Sequence, residues 1–154
     1  KELPTNRGRT SPVVTVLWPT TMPTWTFRQD RRGAGAVIYA QRLSALIGTI
    51  GVEFVVSFGG DSQATLAVVY ETTNLEFLVV WSDNRNYSLP LPTDKDDIYP
   101  QRVNLDGTLD GVNLVISTAV GREELPALAY NPVSARYLIV WTKDGDITAR
   151  GYWP

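Results

Sequence analysis

The chain has 154 residues, 44% of them hydrophobic and 19% charged, with a formal net charge of −2. That balance describes one folded domain with a real core, and it argues against nucleic acid or an anionic membrane as the main partner. Cysteine and histidine are both absent, which removes disulfides, thiolate metal sites, cysteine nucleophiles and any Ser–His–Asp triad built within the chain.

In chain order, the first apolar run is VVTVLW, from Val13 to Trp18. A long connection follows, from about Pro19 to Gly35, and holds Trp25. Next come IYAQRL (Ile38 to Leu43) and GVEFVVS (Gly51 to Ser57). The stretch joining them, RLSALIGTIG, is the best helical candidate in the chain. It nevertheless reads as strand, turn, strand, because its later counterpart RVNLDGTLDG carries the hairpin signal Asp106-Gly107. LAVVY (Leu66 to Tyr70) precedes LEFLVVWSD (Leu75 to Asp83), and a second long connection, Ser82 to Asp96, holds Tyr87. IYPQRV, GVNLVIS, ALAY and ARYLIVW follow, then a tight hairpin at Lys143 to Asp146 and a last run, DITARG. No run approaches the roughly 18 apolar residues of a membrane helix, so membrane insertion is not expected.

The order repeats. A shift of sixty residues brings Ala67, Tyr70, Phe77, Leu78, Val80 and Trp81 onto Ala127, Tyr130, Tyr137, Leu138, Val140 and Trp141. It also brings IYAQRL onto IYPQRV and GVEFVVS onto GVNLVIS. Each unit then has four short runs rich in Val, Ile, Tyr, Phe and Trp, which read as strands. Runs such as FLVVW are apolar on both faces, which implies sheets stacked on sheets. VVTVLW resembles the Trp-ending run, so Trp18, Trp81 and Trp141 are expected in the core. The fold class is therefore all-β, built of tandem four-stranded antiparallel sheets in a single domain over 1–154. Its units lie at about 1–60, 61–121 and 122–154, and the last lacks its fourth strand.

A Tyr-ending strand, then YLVVW, DIYAQR, DG and VxS is a pattern that resembles the repeats of bacterial extracellular β-propeller proteins. It is carried here by Tyr70, Phe77 to Trp81, Asp97 to Arg102, Asp106-Gly107 and Val115 to Ser117 with their counterparts. The resemblance implies about three propeller blades and an extracellular or cell-surface location. Three blades cannot close a ring of the usual four to eight. Neighbouring chains completing one another, a closed threefold β-trefoil or prism-like fold, and a piece of a longer chain are the three ways out.

The first of these is the leading expectation. It describes a non-enzymatic scaffold whose partner is itself, assembling as a ring, tube or filament by completing sheets between chains. The assembling strand would carry Ile147, Ala149, Tyr152 and Trp153. A lectin-like module binding carbohydrate is the alternative, with Trp25 and Tyr87 as loop aromatics that stack on sugar. A glycosidase-type propeller is third, since no pair among the glutamates stands out as facing one cleft. No cofactor is required. Calcium is a minor expectation at Asp94, Asp96 and Asp97, where carboxylates cluster without EF-hand spacing. The repeated Gln41-Arg42 and Gln101-Arg102 pairs read as structural links between strands.

Overall fold

A computed structural model of the chain describes residues 13–16, 24–30, 36–44, 48–57, 63–86 and 94–153. Among the described residues every regular element is a strand. The first unit is a four-stranded antiparallel sheet in sequence order: β1 (Val13–Val16), β2 (Thr24–Asp30), β3 (Val37–Ser44) and β4 (Gly48–Ser57). The remaining strands form one hydrogen-bonded sheet with two antiparallel halves. One half holds β5 (Gln63–Glu71), β6 (Glu76–Asp83), β7 (Asp94–Asn104) and the short β8 (Leu109–Asp110). The other holds β9 (Gly121–Asn131), β10 (Arg136–Lys143) and β11 (Asp146–Tyr152). Among the described residues the backbone ladders of the two halves meet where Asp94 and Asp96 pair in parallel with Gly121 and Arg122. The all-β reading holds, and both stretches of the helical candidate are strands.

The register corrects the sequence reading of the first unit. Thr24–Asp30 is a strand, not part of a long loop, and β1 is the first strand of its sheet rather than a counterpart of the Trp-ending run. Arg28 pairs with Tyr39 in β3 as Trp81 pairs with Tyr99 in β7, so an arginine stands where the later units carry tryptophan. The connection after β2 is shorter than the one after β6, which throws β2 off the sixty-residue spacing and hid it. Trp18 lies outside the described residues; Trp81 and Trp141 are buried.

Strand β6 is buried along its whole length because it has a neighbour on each face. Phe77, Val79 and Trp81 pack with Trp25, Phe27, Ile38 and Val56 of the first unit. The alternate residues Leu78 and Val80 pack with Tyr137, Ile139 and Trp141 of the third. Period-two alternation thus feeds two separate cores from one strand, and each large side chain buried there contributes ~1.5–3 kcal/mol. The units therefore stack in series. The closed threefold alternative does not hold: the sheets are open, and the middle unit separates the cores of the outer two. The first strands of neighbouring units, β1, β5 and β9, come together in turn.

Local chemistry recurs with the repeat. Glu71 accepts the amides of Thr73 and Asn74 (2.7 Å for Asn74), and Asn131 accepts those of Val133 (2.9 Å) and Ser134 (3.3 Å), so one side chain closes the first turn of the second and third units. Gln41 donates to the carbonyls of Arg42 and Ile50, and Gln101 to those of Arg102 and Asp110, at 2.9–3.0 Å. The repeated glutamine thus ties the third strand to the fourth. Asp144 and Gly145 both have positive φ (50° and 98°), as the Asp-Gly hairpin demands.

Candidate functional site

The richest polar cluster lies at the end of the stack from which the connections after β2 and β6 emerge. Asp83, fully buried at the end of β6, accepts Trp81 Nε1 at 3.1 Å and the Arg85 guanidinium at 2.6 Å on Oδ2, and the Arg85 amide at 2.7 Å on Oδ1. Arg85 lies over the ring of Tyr99, 4.0 Å from its centroid, and also donates to Ser57 Oγ at 3.2 Å. Asp97, opposite Asp83 in the register, accepts Asn86 Nδ2 at 2.8 Å and the Tyr99 hydroxyl at 3.2 Å. Burial, with the Asp97 carboxylate behind it, pushes the Tyr99 hydroxyl far above its ordinary range. Two buried acids, one arginine and one amide therefore form a latch that holds the start of the connection after β6 against β7. Asn86 Nδ2 also reaches Tyr99 Oη at 2.6 Å.

GVNLVIS, expected as the fourth strand of the second unit, is not a strand: β8 stops at Asp110, and Ser117 keeps only an isolated bridge to Ile98. Ser57 at the end of β4 and Ser117 still meet the start of the next unit. Gln63 Nε2 donates to Ser57 Oγ at 2.9 Å. One repeat later, Ser117 Oγ donates to Glu123 at 2.7 Å, on the oxygen that also takes Trp141 Nε1 at 2.8 Å. This serine link closes both junctions between units. The sequence signal for it was Ser57 and Ser117 recurring at the repeat spacing.

The opposite end of the stack pairs acids with tyrosines. Glu71 and Glu76 of the middle unit face Tyr130, Tyr137 and Tyr152, whose rings run in a row with centroids 5.0 and 5.8 Å apart. Arg102 stands 3.7 Å from Glu76 and also pairs with Asp110.

The expected site residues fall as follows. Trp25 is not an exposed loop aromatic: it lies in β2, has no accessible surface, and packs against Phe27, Phe54 and Phe77 with centroids 5.9–6.2 Å apart. Its alternation with Phe27 places it on the face that meets the middle unit, so stacking on a sugar is closed to it. Tyr87 lies outside the described residues. Asp94 begins β7, its side chain outside the described residues. Asp96 lies near Arg122 (3.6 Å), where burial raises its carboxyl above the usual range despite that arginine. Asp97 turns the other way into the latch, as neighbours on a strand must. Among the described residues no group of three or more His, Cys, Asp or Glu could hold a metal ion. Ile147 is 84% and Trp153 57% exposed, and Ala149 is exposed as well. Tyr152 packs on Tyr137 instead.

No protein-family model matches the chain, and no curated protein does. Among solved structures, the chain is similar to a thermostable family-43 glycoside hydrolase, with a TM-score of 0.56 and 9% identity over 92% of this chain and 54% of that one. The chain thus spans about half the length of that hydrolase. At this identity the likeness concerns the fold alone. It still corrects one expectation: the protein sharing the fold is an enzyme, so reading the chain as non-enzymatic from its architecture does not stand.

Proposed function

We propose that the three units are β-propeller blades and that the chain is an interaction scaffold working by stacking sheet on sheet. The convergence of β1, β5 and β9 and the face-to-face packing in series support the blade reading. One observation carries the scaffold reading. The outer face of the third unit is apolar and uncovered, with Ala127, Ala129, Leu138, Val140, Ile147 and Ala149 on it. Leu138 is 52% exposed, whereas its counterpart Leu78 is fully buried beneath the third unit. A contiguous apolar sheet face of this kind marks a contact surface. Strand β11 beside it is an edge, paired among the described strands with β10 alone, and open edges accept further strands.

Self-association belongs to this proposal, as does the extracellular or cell-surface setting implied by the repeat resemblance. Head-to-tail growth through the first unit is opposed by Arg28, so contact between copies would join third unit to third unit. Light scattering on a sizing column tests this. The mass of the native chain should rise with concentration, and Val140→Lys should hold it at the monomer. A mass that ignores both concentration and the substitution would sink the reading.

A further inference from the structure

The faces of the stack are not equivalent, and the difference specifies a partner. In the middle unit, Phe77, Val79 and Trp81 point toward the preceding unit; in the third, Tyr137, Ile139 and Trp141 do the same. Each junction is thus made by a strand reading aromatic, any residue, Ile or Val, any residue, Trp. In the first unit the corresponding positions, by register, are Thr24, Thr26 and Arg28. Arg28 pairs there with Asp30 and Glu53 and lies 5.4 Å from the centroid of Tyr39. Among the described residues, the first unit therefore ends the stack with a charged cap. The third unit ends it with an apolar face that has the same pattern as the covered face of the middle one.

That apolar face has a matching depression. A cavity of about 340 Å³ opens between Ala129, Tyr130, Asn131, Arg136, Tyr137 and Leu138. The equivalent place on the middle unit, by Glu71 and Leu78, is where Tyr130 and Tyr137 of the third unit sit: Tyr130 Oη lies 2.6 Å from Thr73 Oγ1, and Leu78 and Tyr137 share a core. The small residues Ala127, Ala129 and Ala149 leave room for large side chains beyond it.

We infer that the outer face of the third unit docks a further unit of this same repeat, one presenting an aromatic–x–Ile/Val–x–Trp strand, with its leading aromatic in the 340 Å³ cavity. A second copy of this chain presents no uncovered strand of this type, so the third-unit-to-third-unit contact proposed above is only a weaker substitute for that partner. Its two strands of this type are already covered, and the outer face of its first unit carries Arg28 where such a strand would carry tryptophan. The inference rests on the docking face proposed above and adds the identity of what covers it. It makes the stack directional: capped at the first unit, receptive at the third.

The test gives the first unit the missing face. The variant Thr24→Phe/Thr26→Val/Arg28→Trp should convert the chain into a head-to-tail polymer, associating at a concentration roughly tenfold or more below that of the native chain. Adding Val140→Lys to it should return the monomer. Circular dichroism checks that each variant is folded. If the triple variant does not fold, Arg28→Trp alone replaces it, with a smaller gain in mass expected. A folded variant whose mass matches the native chain at every concentration overturns the inference. If Val140→Lys still suppresses association of the native chain in that case, the docking face survives and only its partner was misidentified. If Val140→Lys changes nothing in either background, both readings fall.

Discussion

Glu71 and Glu76 stand directly opposite one another across the β5–β6 hairpin, yet their carboxyls shift in opposite directions. Burial opposes the charge of Glu71, but hydrogen bonds from Tyr130 and from the amides of Asn74 and Thr73 outweigh it and hold the carboxyl below its usual range. Burial also opposes the charge of Glu76. Arg102 only partly offsets it, Asp110 and Glu71 add to it, and the carboxyl is raised.

The two acids should therefore have opposite pH signatures. Ionised Glu71 favours the folded state, so its contribution is complete above the ordinary carboxylate range and is lost as pH falls through its depressed value. Glu71→Ala should cost about 2 kcal/mol near neutrality, with the difference from the native chain shrinking in acid. Glu76 behaves the other way: its neutral form suits the fold, and its contribution grows as pH falls through the raised value. Glu76→Gln should be more stable than the native chain at neutral pH and equal to it in acid. Thermal midpoints between roughly pH 3 and 8 would show both trends. A Glu76→Gln curve parallel to the native one at every pH would contradict this account.

Gly107 sits where a side chain would be both strained and crowded. Its φ is +94°, and a Cβ there would lie 3.2 Å from Trp25 Cη2 and 3.3 Å from Phe54 Cε1. Gly111 also has positive φ (+68°) but faces open space. Gly111→Ala should therefore cost about 1 kcal/mol from backbone strain alone, and Gly107→Ala about 2 kcal/mol or more. Denaturant midpoints compare the two. Equal losses would show that the turn at 104–108 does not press on Trp25.

Arg85 is the one guanidinium on a fully buried carboxylate in the latch. Arg85→Ala leaves Asp83 buried without its cation, which should cost about 3 kcal/mol. Asp83→Asn with Arg85→Ala should recover part of that loss, since a neutral amide can still accept from Trp81 Nε1. Because Arg85 and Asn86 at the start of the connection after β6 are held by these bonds, limited proteolysis of that connection should speed up in Arg85→Ala ahead of global unfolding. Cleavage at an unchanged rate would mean that the latch does not anchor the connection.

The second and third units were legible because their tryptophans and IYxQR-type runs keep one spacing. The first was only half legible. Arg28 replaces the marker tryptophan, and a shorter connection breaks the spacing, so a buried strand with Trp25 and Phe27 read as loop. The latch was hidden for a different reason. Arg85 and Asn86 lie outside the repeat, and nothing in their sequence neighbourhood shows that Asp83 and Asp97 meet across two strands. The polar cap was equally hidden, because a register, not a composition, sets Arg28 beside Tyr39.

Leu78 and Leu138 are the same residue of the repeat in different surroundings, one fully buried and the other 52% exposed. Leu78→Ala removes packing between the middle and third units and should cost 2–5 kcal/mol. Leu138→Ala in the isolated chain should change stability by no more than about 0.5 kcal/mol, because water already reaches the site. The contrast should narrow once the outer face is covered. In the polymer formed by Thr24→Phe/Thr26→Val/Arg28→Trp, Leu138 takes the role that Leu78 has in the monomer, and Leu138→Ala should then lower the melting temperature of the assembly measurably. If Leu138→Ala is as costly as Leu78→Ala in the isolated chain, that face is already covered and the open end of the stack lies elsewhere. If it stays silent in the polymer, the growing contact does not use the repeat's own packing.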